Sequence, residues 1–151
     1  FIKEVVKEKK IHTLWFEAHY MYRKKLASFA EQFAPAKVKF RCGVETFDTA
    51  LREAWKKGIP SSVSVQDIAQ HFQGICLLCC TQGETKEHIL KDIELAKAHF
   101  EYFSVNVFCD NHTPIKQDKE LASWFAKEVY PMIKDDPRIE VLMENTDLGV
   151  G

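Results

Sequence analysis

Stretches with strand character and stretches with helical spacing alternate along this 151-residue chain, and that alternation constrains the fold more than any other feature. Ile2, Val5 and Val6, followed by Lys7 to Lys10, read as the end of an amphipathic helix with cations where its dipole favours them. His12 to Tyr20 is rich in β-branched and aromatic residues and reads as a strand. Tyr22 to Ala34 switches to helical spacing through Leu26, Phe29, Ala30 and Phe33, and Pro35 stops it. Lys37 to Val44 predicts a second strand. Thr46 to Lys57 predicts a helix with Phe47, Ala50, Leu51, Ala54 and Trp55 on one face. Ser64 to Phe72 carries a carboxylate variant of the capping box in Ser64 and Asp67. Gly74 to Thr81 is apolar on both faces, as a strand covered by helices would be. Thr85 caps a helix to about Phe100, with Ile89, Ile93, Leu95 and Ala96 inward. Tyr102 to Cys109, a helix from about Lys116 to Ile133, and a last strand from Arg138 to Met143 complete an α/β set of about five strands.

Parallel strands joined by right-handed helical crossovers are the economical arrangement of such a pattern, either as a doubly wound sheet or as part of a (βα) barrel. The length suits a single domain, 1–151, and a composition of 46% hydrophobic and 28% charged residues supports a real core. Twenty-one Lys and Arg against 22 Asp and Glu leave no global positive field to hold a nucleic acid. No apolar run reaches the roughly 18 residues of a membrane helix. Five cysteines, mostly in strand-like runs, point to reduced thiols and a cytoplasmic setting. The chain opens on Phe1 inside a helical stretch, which reads as an excised piece of a longer protein.

In either architecture chemistry collects at the carboxyl ends of the strands. Those positions are polar: Glu17 and His19, Glu45 and Thr46, Thr81 to Thr85, Asn106 to Asn111, and Glu144 to Asp147. Strand-to-helix loops are polar in most proteins, and Thr46 and Thr85 serve as N-caps on this reading. Glu17 and His19 share one face of an aromatic strand and either snorkel at its end or point into a site. Gln82-Gly83-Glu84-Thr85 places a glycine turn before a helix, so free backbone N–H groups could meet an anion or an adenine edge. Cys76, Cys79 and Cys80 contain a C-x2-C spacing, but an extended strand sends Cys76 and Cys80 to one side and Cys79 to the other, which favours core packing over a metal or redox site. No H-E-x-x-H, P-loop or G-x-S-x-G is present.

Gly43 to Gly58 (GVETFDTALREAWKKG), Gly74 to Thr85 (GICLLCCTQGET), the helix ending IELAKAHF and the strand Tyr102 to Phe108 together resemble the C-terminal part of a radical SAM enzyme core. The resemblance covers about residues 1–108 and implies an incomplete (βα) barrel of parallel strands, with 109–151 as a helix-strand extension. It implies that Glu45 and Arg41 contact the ribose or methionine part of S-adenosylmethionine (SAM), that Leu78, Cys80, Gly83 and Glu84 lie along the adenine, and that Asn106 and Val107 form its other wall. Glu17, His19 and Asp110 would face the substrate. Cys80 and Gln82 depart from the family's usual Gly and Pro.

The family's C-x3-C-x2-C loop, which holds a [4Fe-4S] cluster, is absent from this chain, and CLLCC has the wrong spacing to replace it. The cluster would thus belong to the parent protein, where SAM cleavage yields a 5'-deoxyadenosyl radical for hydrogen abstraction from a small-molecule or peptide substrate. The chain alone should be inactive. A non-catalytic α/β domain that binds a nucleotide or a partner is the alternative. A truncated barrel would leave Leu14 to His19 as an unpaired edge, open to self-association.

Overall fold

The computed structural model describes residues 1–144. Five strands, β1 (Thr13–Glu17), β2 (Lys37–Glu45), β3 (Gly74–Cys79), β4 (Tyr102–Val107) and β5 (Ile139–Leu142), form one sheet in the order β1-β2-β3-β4-β5, with every adjacent pair parallel. That order decides between the two architectures. A doubly wound sheet reverses direction at a switch point and covers both faces with helices, whereas right-handed crossovers that always add the next strand on the same side keep all helices on one face. The sheet curls into a half-barrel.

The helices are α1 (Ile2–Glu8), α2 (Leu26–Glu31), α3 (Thr49–Ala54), α4 (Val65–Ala69), α5 (Lys86–His99), α6 (Lys119–Trp124) and α7 (Tyr130–Ile133). The expected helix over 22–34 begins as a 3-10 turn, Tyr20–Lys25, capped by His19. The expected helix over 116–133 starts only at Lys119, because Gln117 bridges back to Thr81, and a π-helical segment, Phe125–Val129, joins α6 to α7.

Alternate strand residues divide cleanly. Phe16, Phe40, Cys42, Val44, Ile75, Leu77, Cys79, Phe103, Val105 and Val107 pack with Ile68, Ile89, Ile93, Ala96, Leu121 and Phe125 in the helix-side core. The apolar character of β3 on both faces therefore has two origins: Ile75, Leu77 and Cys79 meet helices, while Cys76 and Leu78 look into the half-barrel.

Capping follows the local chemistry. Ser64 and Asp67 form a complete capping box, and Thr85 accepts from the His88 N–H. Thr46 does not cap α3. Asp48 does, and Thr46 is fully buried. The apolar face expected for α3 also differs: Ala50 and Ala54 are exposed, and the one buried residue is Arg52. Its Nη2 donates to the carbonyls of Pro60 and Val63, so a charged side chain staples the loop that follows its own helix.

Candidate functional site

The inner wall of the half-barrel is built from the remaining strand positions, and the register sets them in layers. Glu17, Arg41, Gly74 and Tyr102 lie side by side. Above them come Gly43, Cys76, Ser104 and Glu140, then Leu78, Asn106 and Leu142 toward the carboxyl ends, while Glu45, past a shift in register, pairs with Leu77.

The lower layers form a charged network. Arg41 stands between two carboxylates, 3.5 Å from Glu17 and 3.6 Å from Glu140, and the Tyr102 hydroxyl donates to Glu140 at 3.0 Å. Burial and the adjacent Glu140 push the Tyr102 phenol up to about 12, so it remains a donor. The Cys76 thiol lies 3.9 Å from Glu17, and burial pushes it up to about 11. It is a neutral thiol at ordinary pH, and burial pushes Cys42 to about 12 likewise.

At the rim, two non-glycine residues adopt left-handed backbone at the ends of neighbouring strands, Glu45 at φ 68° and Cys80 at φ 66°. Such conformations cost about 1–2 kcal/mol each and persist where the surroundings impose them. The register shifts between Gly43 and Glu45. This irregularity leaves Glu45 Oε1 3.7 Å from where a Cβ on Gly43 would sit, on the same side as Glu17 Oε1, also at 3.7 Å. The Lys57 ammonium donates to Glu45 at 2.8 Å. Cys80 turns out of the strand alternation, so its thiol lies 3.7 Å from that of Cys79 in the core instead of beside Cys76.

The glycine turn is less open than the sequence implies. A segment including Lys116 to Asp118 crosses the end of β3: the Gln82 N–H donates to Lys116, the Asp118 N–H to Cys80, and the Glu84 N–H is taken by Thr81. Glu84 folds back beneath the turn, accepting from the Thr81 N–H at 2.6 Å and from its hydroxyl at 2.9 Å. Burial pushes the Glu84 carboxyl up to about 7 against the pull of those hydrogen bonds. Gly83 has φ 94° with open space around it, so backbone conformation and not crowding selects glycine there.

Apart from Gly83 and Glu84 of the turn, the site residues expected from sequence fall into three groups. Glu17, Arg41, Glu45, Leu78 and Asn106 share the inner wall. Cys80 and Val107 turn their side chains into the core, leaving only their backbones for a ligand. His19 and Asp110 are tied into the frame: His19 Nδ1 accepts from the Met21 N–H, its Nε2 donates to the Lys57 carbonyl at 2.7 Å, and Asp110 accepts from the Gln117 N–H. Of the expected strand-end group 144–147, only Glu144 lies within the described residues.

Sequence reasoning missed Lys57, Tyr102 and Glu140. The period-2 charges of Lys37, Lys39 and Arg41 in an otherwise apolar strand were a legible sign of a polar inner face. It also missed Asp92, which accepts from the Phe47 N–H and the Thr46 hydroxyl and holds the turn after β2 against α5. Asp92 lies three residues after Ile89 and four before Ala96, on the apolar stripe of α5, and its burial raises its pKa.

Among solved structures, the chain is similar to the queuine lyase from Clostridium spiroforme bound to SAM and queuine, at 35% identity and a TM-score of 0.90 over 99% of its length. That enzyme is a radical SAM enzyme. The chain has a radical SAM fold. It spans 64% of the length of that relative. No protein-family model matches the chain, and no curated protein does.

The upper layer suits SAM. Asn106 Oδ1 is buried without a hydrogen-bond partner, and such an orphan costs about 1–3 kcal/mol unless a donor arrives. An adenosine N–H or O–H supplies one. A [4Fe-4S] cluster is not suited: among the described residues no group of three or more His, Cys, Asp or Glu is placed to hold a metal, and Cys42, Cys79 and Cys80 are core residues. No helix among the described residues is long and apolar enough to cross a membrane.

Proposed function

We propose that this chain forms one wall of the SAM site and of the substrate chamber in a radical SAM enzyme, and that the complete protein acts on queuine or a closely related planar base. The observation that carries this reading is the 0.90 TM-score over 99% of the chain against an enzyme bound to SAM and queuine. SAM held by Glu45 and Asn106 beside a cluster, whose ligands this chain does not carry, would supply radical chemistry for hydrogen abstraction.

The residues of this chain bind and orient. Glu45, anchored by Lys57, offers a carboxylate to ribose or amine hydrogens at the end of β2. Asn106 offers its unpartnered carbonyl from β4, and Leu78 between them gives an apolar surface. A reducing, cytoplasmic setting belongs to this reading and agrees with the five free cysteines.

The test is SAM binding by isothermal titration calorimetry to the complete protein and to Glu45→Ala. The expected loss is about 1–3 kcal/mol, the worth of a charge-assisted hydrogen bond. An unchanged dissociation constant removes Glu45 from the site. The second reading is a non-catalytic SAM- or nucleotide-binding domain. Iron analysis of the anaerobically purified complete protein separates the two: a protein that binds SAM and holds no iron supports the second.

A further inference from the structure

Trp15 is 42% exposed in the middle of β1, on the inner wall, while its strand neighbours Leu14 and Phe16 face the helix side. An exposed indole is usually free to move. This one is held. A Cβ on Gly74 would lie 3.1 Å from Trp15 Cζ3 and 2.7 Å from the Tyr102 carbonyl, so the glycine lets the indole lie close against the sheet. The Tyr102 ring stands 5.7 Å away, tilted by 48°, and the Lys39 ammonium sits 5.4 Å from the indole ring.

Together with Phe16, Glu17 and Arg41, Trp15 and Tyr102 line a cavity of about 380 Å³. A half-exposed aromatic surface held against the sheet and bordered by a cation and a carboxylate is the construction that recognises a flat, hydrogen-bonding ring. Glu17 fits the polar role: its Oε2 faces Arg41 and Cys76, while Oε1 points toward the space above Gly43. Arg41, set between Glu17 and Glu140, holds that carboxylate in place.

Building on the function proposed above, we infer that this cavity is the subsite for the planar ring of the substrate, a nitrogen heterocycle that stacks on Trp15 and donates ring N–H groups to Glu17. The ring lies below the SAM layer of Glu45 and Asn106, so the two ligands use different residues. Trp15 and Glu17 are binding residues here, and Arg41 and Gly74 position them.

The experiment uses the complete protein with queuine as the probe, followed by tryptophan fluorescence and calorimetry, with SAM titrated in parallel. Queuine is expected to quench the wild-type emission. Trp15→Phe, which keeps an aromatic ring, should lose most of that quenching. Glu17→Gln, at a side chain 58% exposed, should bind queuine about tenfold more weakly, with the SAM dissociation constant within twofold and the melting temperature unchanged. Undiminished quenching in Trp15→Phe, or unaltered queuine affinity in Glu17→Gln, overturns the inference. Parallel weakening of SAM and queuine in Glu17→Gln also overturns it, because the cavity then belongs to the cofactor. A wild-type protein that binds SAM but not queuine rejects the subsite and the proposed substrate while the SAM wall stands, and one that binds queuine but not SAM rejects the SAM wall while the subsite stands.

Discussion

The two faces of the sheet are made from alternate residues of the same five strands, yet they have opposite chemistry. On the helix side, β2 to β4 present Phe40, Cys42, Val44, Ile75, Leu77, Cys79, Phe103, Val105 and Val107, with no ionisable group beyond two thiols. On the inner side the same strands present Lys39, Arg41, Cys76, Tyr102, Ser104 and Asn106. A one-residue step along the chain moves a side chain from an apolar core to a polar inner wall. The comparison teaches that core and polar wall in this half-barrel are separated by parity, so stability and the function proposed above can be probed at neighbouring positions.

Neighbouring positions on β4 give the sharpest way to break that contrast. Phe103→Ala opens a cavity at a site with no solvent exposure and should cost about 3–5 kcal/mol in urea unfolding, whereas Tyr102→Phe removes one hydrogen bond to Glu140 and should cost about 1 kcal/mol. Comparable losses at both would mean that the inner wall is a second core.

Glu84 probes the rim where the faces meet. Its carboxyl titrates near 7 when folded against an ordinary value of 4.5, so between those pH values the folded state holds more protons than the unfolded one. Stability therefore falls as pH rises from about 4.5 to 7 and levels off above. Relative to Glu84→Gln, the expected fall is at most about 3 kcal/mol, read from unfolding curves across pH 4 to 8.

A thiol pair sharpens the comparison further. Cys79→Ser buries a hydroxyl in the apolar core and should cost about 1–3 kcal/mol, while Cys76→Ser, beside Ser104 and Glu17, finds partners and should cost less than about 1 kcal/mol. Equal costs would erase the chemical distinction between the faces. As the smallest effect, Ser64→Ala removes a capping box remote from both and should lower stability by about 1 kcal/mol, a shift of about 2–4 °C in Tm. SAM affinity should not respond.

Much of this was legible in the sequence because it is local. The five strands, the Ser64–Asp67 box and the Thr85 cap follow from spacing and side-chain chemistry within a few residues. The α3 face was not legible, because Arg52 is buried by carbonyls eight and eleven residues away, and those partners exist only once the loop has folded back. The same holds for His19 and Asp110. Both look like free strand-end polar groups in one dimension, and their bonds to Lys57 and Gln117 span 38 and 7 residues.

By itself, the sequence determined the kinds of element and their order along the chain. Only the tertiary structure decided that all helices lie on one side, which turned Trp15, Glu17, Arg41 and Tyr102 into the lining of a chamber and Cys80 and Val107 into core. The physical reason is that side-chain alternation is a property of each strand alone. Which face stays open depends on the order of strand pairing, and that is settled by contacts between segments far apart in the chain.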